Sequence, residues 1–150
     1  MIFDRTQNDV DTALRLRTEK VQTFQELTES DITALERGLL TINTLNRIEA
    51  KQEELKNLFN GLGYWNTSIT NKRWAESDIF DIINFQRIID NTNVLRRAFF
   101  VYKDTPSTPK VSYHWRDINA LEKILYDLDI MINDVKSFYR ECNTFYCGEK

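Results

Sequence analysis

The residues best suited to chemistry stand at the end of the chain, in SFYRECNTFYCGEK, where Cys142 and Cys147 sit among aromatics and Arg140. Four readings compete for them: a metal clip, a redox switch, a disulfide, or a packed tail. A zinc site wants four ligands, yet four residues separate the cysteines and the single histidine, His114, lies 28 positions before Cys142. A carboxylate would have to complete the set. A disulfide belongs to oxidising compartments, and a redox switch needs a thiolate of lowered pKa, for which Arg140 alone is thin support. Free thiols packed with aromatics are the expectation, with no metal or other cofactor.

His114 stands between Tyr113 and Trp115 and could serve as a general base. No GxSxG-like or Cys–His arrangement supplies it with a nucleophile, so a hydrogen-bonding role at a helix start fits better. Asp117, Glu122, Asp127, Asp129 and Asp134 mostly fall outside the apolar stripe of their segment and read as a solvated face. A di-iron bundle would need Glu-x-x-His pairs among them, and there are none. The GLG at Gly61–Gly63 follows a helix rather than a strand, so it is not a phosphate loop. No catalytic residue emerges, and the expectation is a protein that is not an enzyme.

The elements that would carry these residues are helical. The sequence holds 150 residues, 41% apolar and 29% charged, with four glycines and two prolines. Long stretches therefore run without a breaker, as helices do. Residues 6–24 place Val10, Ala13, Leu14, Val21 and Phe24 at roughly helical spacing, a thin stripe suited to packing on something else. LTESDITALERG predicts a short helix capped by Thr28 or Ser30 and stopped at Gly38. TINTLNRIEAKQEELKNLFNG predicts a longer one, with Asn43 as N-cap, Gly61 at its C-terminal turn, and Leu45, Ile48, Leu55, Phe59 and Leu62 on one face interrupted by Gln52. Residues 62–78 read as a loop or small hairpin rich in aromatics. A helix capped by Asp81 then carries Ile82, Phe85, Ile88, Ile89, Leu95, Ala98 and Phe99, and Pro106 and Pro109 break the chain after it. The last helix, from about Trp115 to Glu141, repeats apolar residues every three or four positions, from Ile118 and Leu121 to Val135, Phe138 and Tyr139. A stripe that wide suits packing against two neighbours.

The expected fold is all-α, a bundle of three long helices over 41–150 preceded by one or two N-terminal helices over 1–40 that act as a docking arm. A net charge of −3 with both signs interspersed offers no basic stripe for phosphates, so no nucleic-acid partner is expected. No run approaches a membrane span, and no membrane partner is expected either. The opening MIFDRTQNDVDTALRL shows charges at once and no apolar h-region, which predicts a soluble protein made in the cytoplasm. Aromatics in breaker-rich stretches remain: Tyr64, Trp65, Trp74, Phe145 and Tyr146. Such residues are enriched in protein–protein contacts.

Several segments, in order, resemble a helical module of structural tail proteins from phages and phage-tail-like particles of Gram-positive bacteria. The matching residues are Leu45, Asn46, Arg47, Ile48 and Glu49; Trp74; Arg87, Ile89, Asn91, Leu95 and Arg96; Pro106 and Pro109; Glu122, Lys123, Ile124 and Leu125; and Tyr139, Arg140, Gly148 and Glu149. They span roughly 40–150, with a looser match at DRTQNDVD. The chain departs from the pattern at its cysteines, where small residues are common. The resemblance implies a non-enzymatic component of a tail or baseplate, present in the virion in many symmetric copies and holding fibre, receptor-binding or other tail proteins. A helical head–tail connector, or a small regulatory protein binding a host partner, are the alternatives. The expected interface residues are Val10, Leu14, Val21 and Phe24 on the first helix, Tyr64, Trp65 and Trp74 in the connector, and Tyr139, Arg140, Phe145 and Tyr146 at the end.

Overall fold

The computed structural model describes residues 1–63, 68–110 and 114–142, the last four by their backbone alone. The chain is all-α, with no strand among the described residues. Helix α1 runs Gln7–Leu16 and continues as a π-helical turn, Arg17–Val21; α2 is Glu29–Gly38, α3 Ile42–Gly61, α4 Ile82–Ala98 and α5 Trp115–Cys142.

Four of these helix starts have a local cause. Thr6 and Asp9, then Thr28 and Asp31, form two capping boxes in which hydroxyl and carboxylate satisfy each other's backbone N–H. Thr41, not the expected Asn43, caps α3, because its hydroxyl lies against the Thr44 N–H at 3.2 Å. Asp81 caps α4 as expected. At the end of α3 the left-handed position falls to Gly63 (φ 76°), while Gly61 is still helical.

Side-chain pairs fix the directions of the long helices. Glu49 meets Arg87, Gln52 meets Thr92, and Phe59 meets Phe99, so α3 and α4 run parallel. Arg47 meets Glu122 and Lys51 meets Asp129, so α5 runs the same way. Parallel neighbours need long returns. The residues described from 68 to 81 supply the first as extended chain running back along α3, through Asn71 on Glu49 and Trp74 on Asn46, rather than as a small hairpin. The 99–110 segment supplies the second, antiparallel to α5 through Tyr102 on Asp134 and Thr105 on Asp127. Residues 3–7 make a third strap on α5, with Phe3 on Tyr126, Arg5 on Glu122 and Gln7 on Trp115.

One core joins the three helices, built from Ile48, Leu55 and Phe59, Phe85, Ile88 and Leu95, and Leu121, Leu125, Leu128 and Ile132, all essentially inaccessible. Ile82, expected on the apolar face of α4, is instead exposed. Helices α1 and α2 form a separate antiparallel hairpin whose base sits where α3 and α5 begin. There Gly38 permits the close approach, since a methyl group in its place would overlap the Asp9 carbonyl oxygen and the Ala13 side chain.

Candidate functional site

Several polar residues of the long helices lie inside the bundle. Glu49 is 2% exposed and accepts from both terminal nitrogens of Arg87 (2.8 and 2.6 Å), from the Trp74 indole (2.7 Å) and from the Lys72 N–H (2.5 Å). Trp74, expected at an interface, is therefore a core residue, buried and stacked edge-on against Phe80. Gln52, expected to interrupt the α3 face, completes it instead by donating to the Ile88 carbonyl and the Thr92 hydroxyl at 2.8 Å each. Asn91 ties α4 to the return segment at the Thr70 carbonyl (2.8 Å).

A second network corrects the reading of α5. Glu122, expected on a solvated face, is fully buried between Arg5 (2.5 Å) and Arg47 (2.9 Å). Asp127, expected beside it in solvent, is buried under the Thr105 hydroxyl (2.8 Å) and Lys123. One carboxylate serves two guanidiniums around Glu122, and Nη2 of each arginine is left buried without a partner. Asn46, Arg47, Glu49, Trp74, Arg87, Asn91 and Glu122, seven of the motif residues, thus belong to polar networks that hold the straps on the helices.

Little of this can do chemistry. The His114 side chain accepts the Arg116 N–H at Nδ1 (3.2 Å) and its ring lies 5.4 Å from that of Trp115, in the helix-start role expected of it. It lines an open cleft of about 360 Å³ with Gln7, Val10, Leu40 and Trp115. Among the described residues no group of three or more His, Cys, Asp or Glu side chains could hold a metal, and no helix is long and apolar enough to cross a membrane. Cys147 lies outside the described residues, and Cys142 is described only by its backbone.

What stands out is apolar surface at two ends. At the hairpin tip every residue from 21 to 30 is exposed. Phe24 is 97% exposed at φ 55°, a left-handed conformation that costs a side-chain-bearing residue about 1 kcal/mol. Val21 and Leu14 are exposed below it, and Val10 is half-buried near the base. Tyr64, Trp65, Phe145 and Tyr146 lie outside the described residues, and Tyr139 and Arg140 are placed only as backbone on α5.

The opposite end was missed by sequence reasoning. Phe100 is 82% exposed and Phe138 65%. The Tyr102 hydroxyl donates to Asp134 (3.0 Å), which puts Phe100, two residues earlier, and Phe138, one turn later, together where α4 and α5 finish. Phe138 fits the apolar period of its helix, so no sequence signal marks it. It is bare because Lys51 pairs with Asp129, which brings α3 to its end at the level of Phe138. A third apolar group, Ile79, Ile82 and Ile83, is exposed around the start of α4. Compared with known families, with curated proteins and with solved structures, the chain matches none.

Proposed function

We propose that the protein is a non-enzymatic structural component of the tail or baseplate of a phage or phage-tail-like particle, made in the host cell and built into the virion in several copies. In this reading the bundle is the body, and the α1–α2 hairpin is an arm that engages other tail proteins, fibre or receptor-binding components among them. The observation that carries it is Phe24: a large aromatic is kept nearly fully in solvent, in a backbone conformation that disfavours it, at the end of a projecting hairpin. Such a residue stabilises nothing within its own chain, whereas aromatic anchors of this kind dominate binding energies at interfaces. Further support comes from the π-helical turn Arg17–Val21 just before it, since such turns gather at functional places. The ordered series of motifs that resembles tail modules supplies the particle context.

The test is to express an epitope-tagged chain in the producing cell, purify particles and locate the tag by immunogold labelling. Label at the tail or baseplate is the expected result, and label at the neck would transfer the protein to the connector class. Recovery of the folded, tagged chain wholly outside the particles would overturn the reading. Phe24→Glu, with its helical circular dichroism unchanged, should be excluded from particles.

A further inference from the structure

We infer that copies of this chain bind one another head to tail, the hairpin tip of one seating on the far end of the bundle of the next. The two exposed aromatic ends carry opposite charge. At the tip, Phe24, Val21 and Leu27 are surrounded by Glu19, Glu26 and Glu29, none of which has an ion pair among the described residues. Over 17–31 four carboxylates face two cations, and one of those cations, Lys20, is already held by Asp31 at 2.5 Å.

The far end is the reverse. Phe100 and Phe138 stand with Arg96, Arg97, Lys103 and Lys136, against Asp104 and Asp134. None of these four cations is in an ion pair among the described residues, and Nε of Arg96 is buried without a partner. Asp134 is engaged by Tyr102. An acidic-rimmed aromatic knob and a basic-rimmed aromatic platform thus sit on one molecule, at the arm and at the end remote from its base.

Complementary potentials steer encounter and fix register, while desolvated aromatics hold the contact. Because the two surfaces are different patches, the contact is heterologous and propagates into a ring or an open helix. A weak contact suffices, since repetition multiplies it. The inference rests on the proposed function only in taking the hairpin tip for an interface, and it names the partner as a second copy rather than another tail protein.

Sedimentation velocity on the intact chain tests it. The wild type should gain mass with concentration. Phe24→Glu should lower the association constant about tenfold or more, as should a tip-reversed variant (Glu26→Lys with Glu29→Lys) and an end-reversed variant (Arg97→Glu with Lys103→Glu). Circular dichroism controls that each remains helical, and all four reversed positions are exposed, so folding is not at stake. Mixing the two reversed variants restores an acidic-to-basic match at each junction and should restore association. A wild type that remains monomeric, or reversed variants that associate as well as the wild type, would overturn the inference. If Phe24→Glu is lost from particles while the wild type is monomeric, the proposed function stands and this inference fails. Self-association of a chain that never enters particles would sustain this inference and overturn the proposed function.

Discussion

The bundle and the hairpin are both helical and both capped, yet they are held in different ways. In the bundle, each strap is fastened by charges that have left water: Glu49 under Arg87, Trp74 and Lys72, Asp127 under Thr105, and Glu122 between Arg5 and Arg47. The hairpin has Ala13 as its one fully buried apolar side chain, and each of its ion pairs keeps at least one partner partly in solvent. Arg37 reaches Asp4 (3.1 Å) and Asp9 (3.0 Å), and Lys20 reaches Asp31. The Asp4 and Asp9 carboxylates hold the Arg37 guanidinium above its ordinary range. Pairs left partly in solvent contribute less to stability than buried ones. The strong polar networks thus lie in the bundle, whereas the hairpin carries Phe24, the most exposed large apolar side chain among the described residues.

The sharpest way to break that comparison is to remove a buried carboxylate. Glu122→Ala strands two guanidiniums inside the bundle, one of them on the strap that leads into the hairpin, and should cost about 3–5 kcal/mol in denaturant unfolding. Glu49→Ala should cost a similar amount. A loss under about 1 kcal/mol for both would show that the networks are ornaments on an apolar core.

Gly38→Ala asks whether the hairpin can open while the bundle stands. The added methyl meets a backbone carbonyl that cannot step aside, so overpacking should cost the hairpin about 1–3 kcal/mol. Hydrogen exchange should quicken across α1 and α2 and stay slow in α3 and α5. Uniform loss of protection would mean that the two regions unfold as one.

Phe24→Gly separates contact from stability. Glycine accepts φ 55° without strain, at the expense of a freer unfolded chain. The melting curve should therefore move by no more than about 1 kcal/mol, while entry into particles is lost. A large fall in stability would make Phe24 a fold residue.

The smallest effect is the pH dependence of the hairpin. Hydrogen bonds from Lys20, and then from the Thr28 side chain and N–H, lower the Asp31 carboxyl from its ordinary 3.8 to about 2. The folded state therefore binds the proton less readily than the unfolded state. The stabilisation is fully present above the unfolded value and is lost as pH falls through the folded one, between about pH 4 and pH 2. Asp31→Asn should flatten the change in hairpin protection over that window. An unchanged profile would assign the acid sensitivity to other carboxylates, such as Asp9, which the Thr6 N–H also lowers.

The local chemistry was legible in the residues. The Thr28 start, the Asp81 cap, the proline break and the 3–4 period of the last helix mark helices because their causes lie within a turn of one another in sequence. The exposure of Leu14, Val21 and Phe24 was readable too, from a stripe too thin to bury. The sequence by itself therefore determined the all-α class and most of the helix positions.

Only tertiary structure decided what the polar residues inside those helices do. Glu122 looks like any surface carboxylate until Arg5, 117 positions away, arrives beside it. Trp74 looks like an anchor for a partner until α3 presents Asn46 and Glu49 to it. Phe138 looks like core until the neighbouring helices end beneath it. Burial is a property of what stands opposite. With α3, α4 and α5 parallel and the straps running back between them, what stands opposite comes from far along the chain, where no local period can report it.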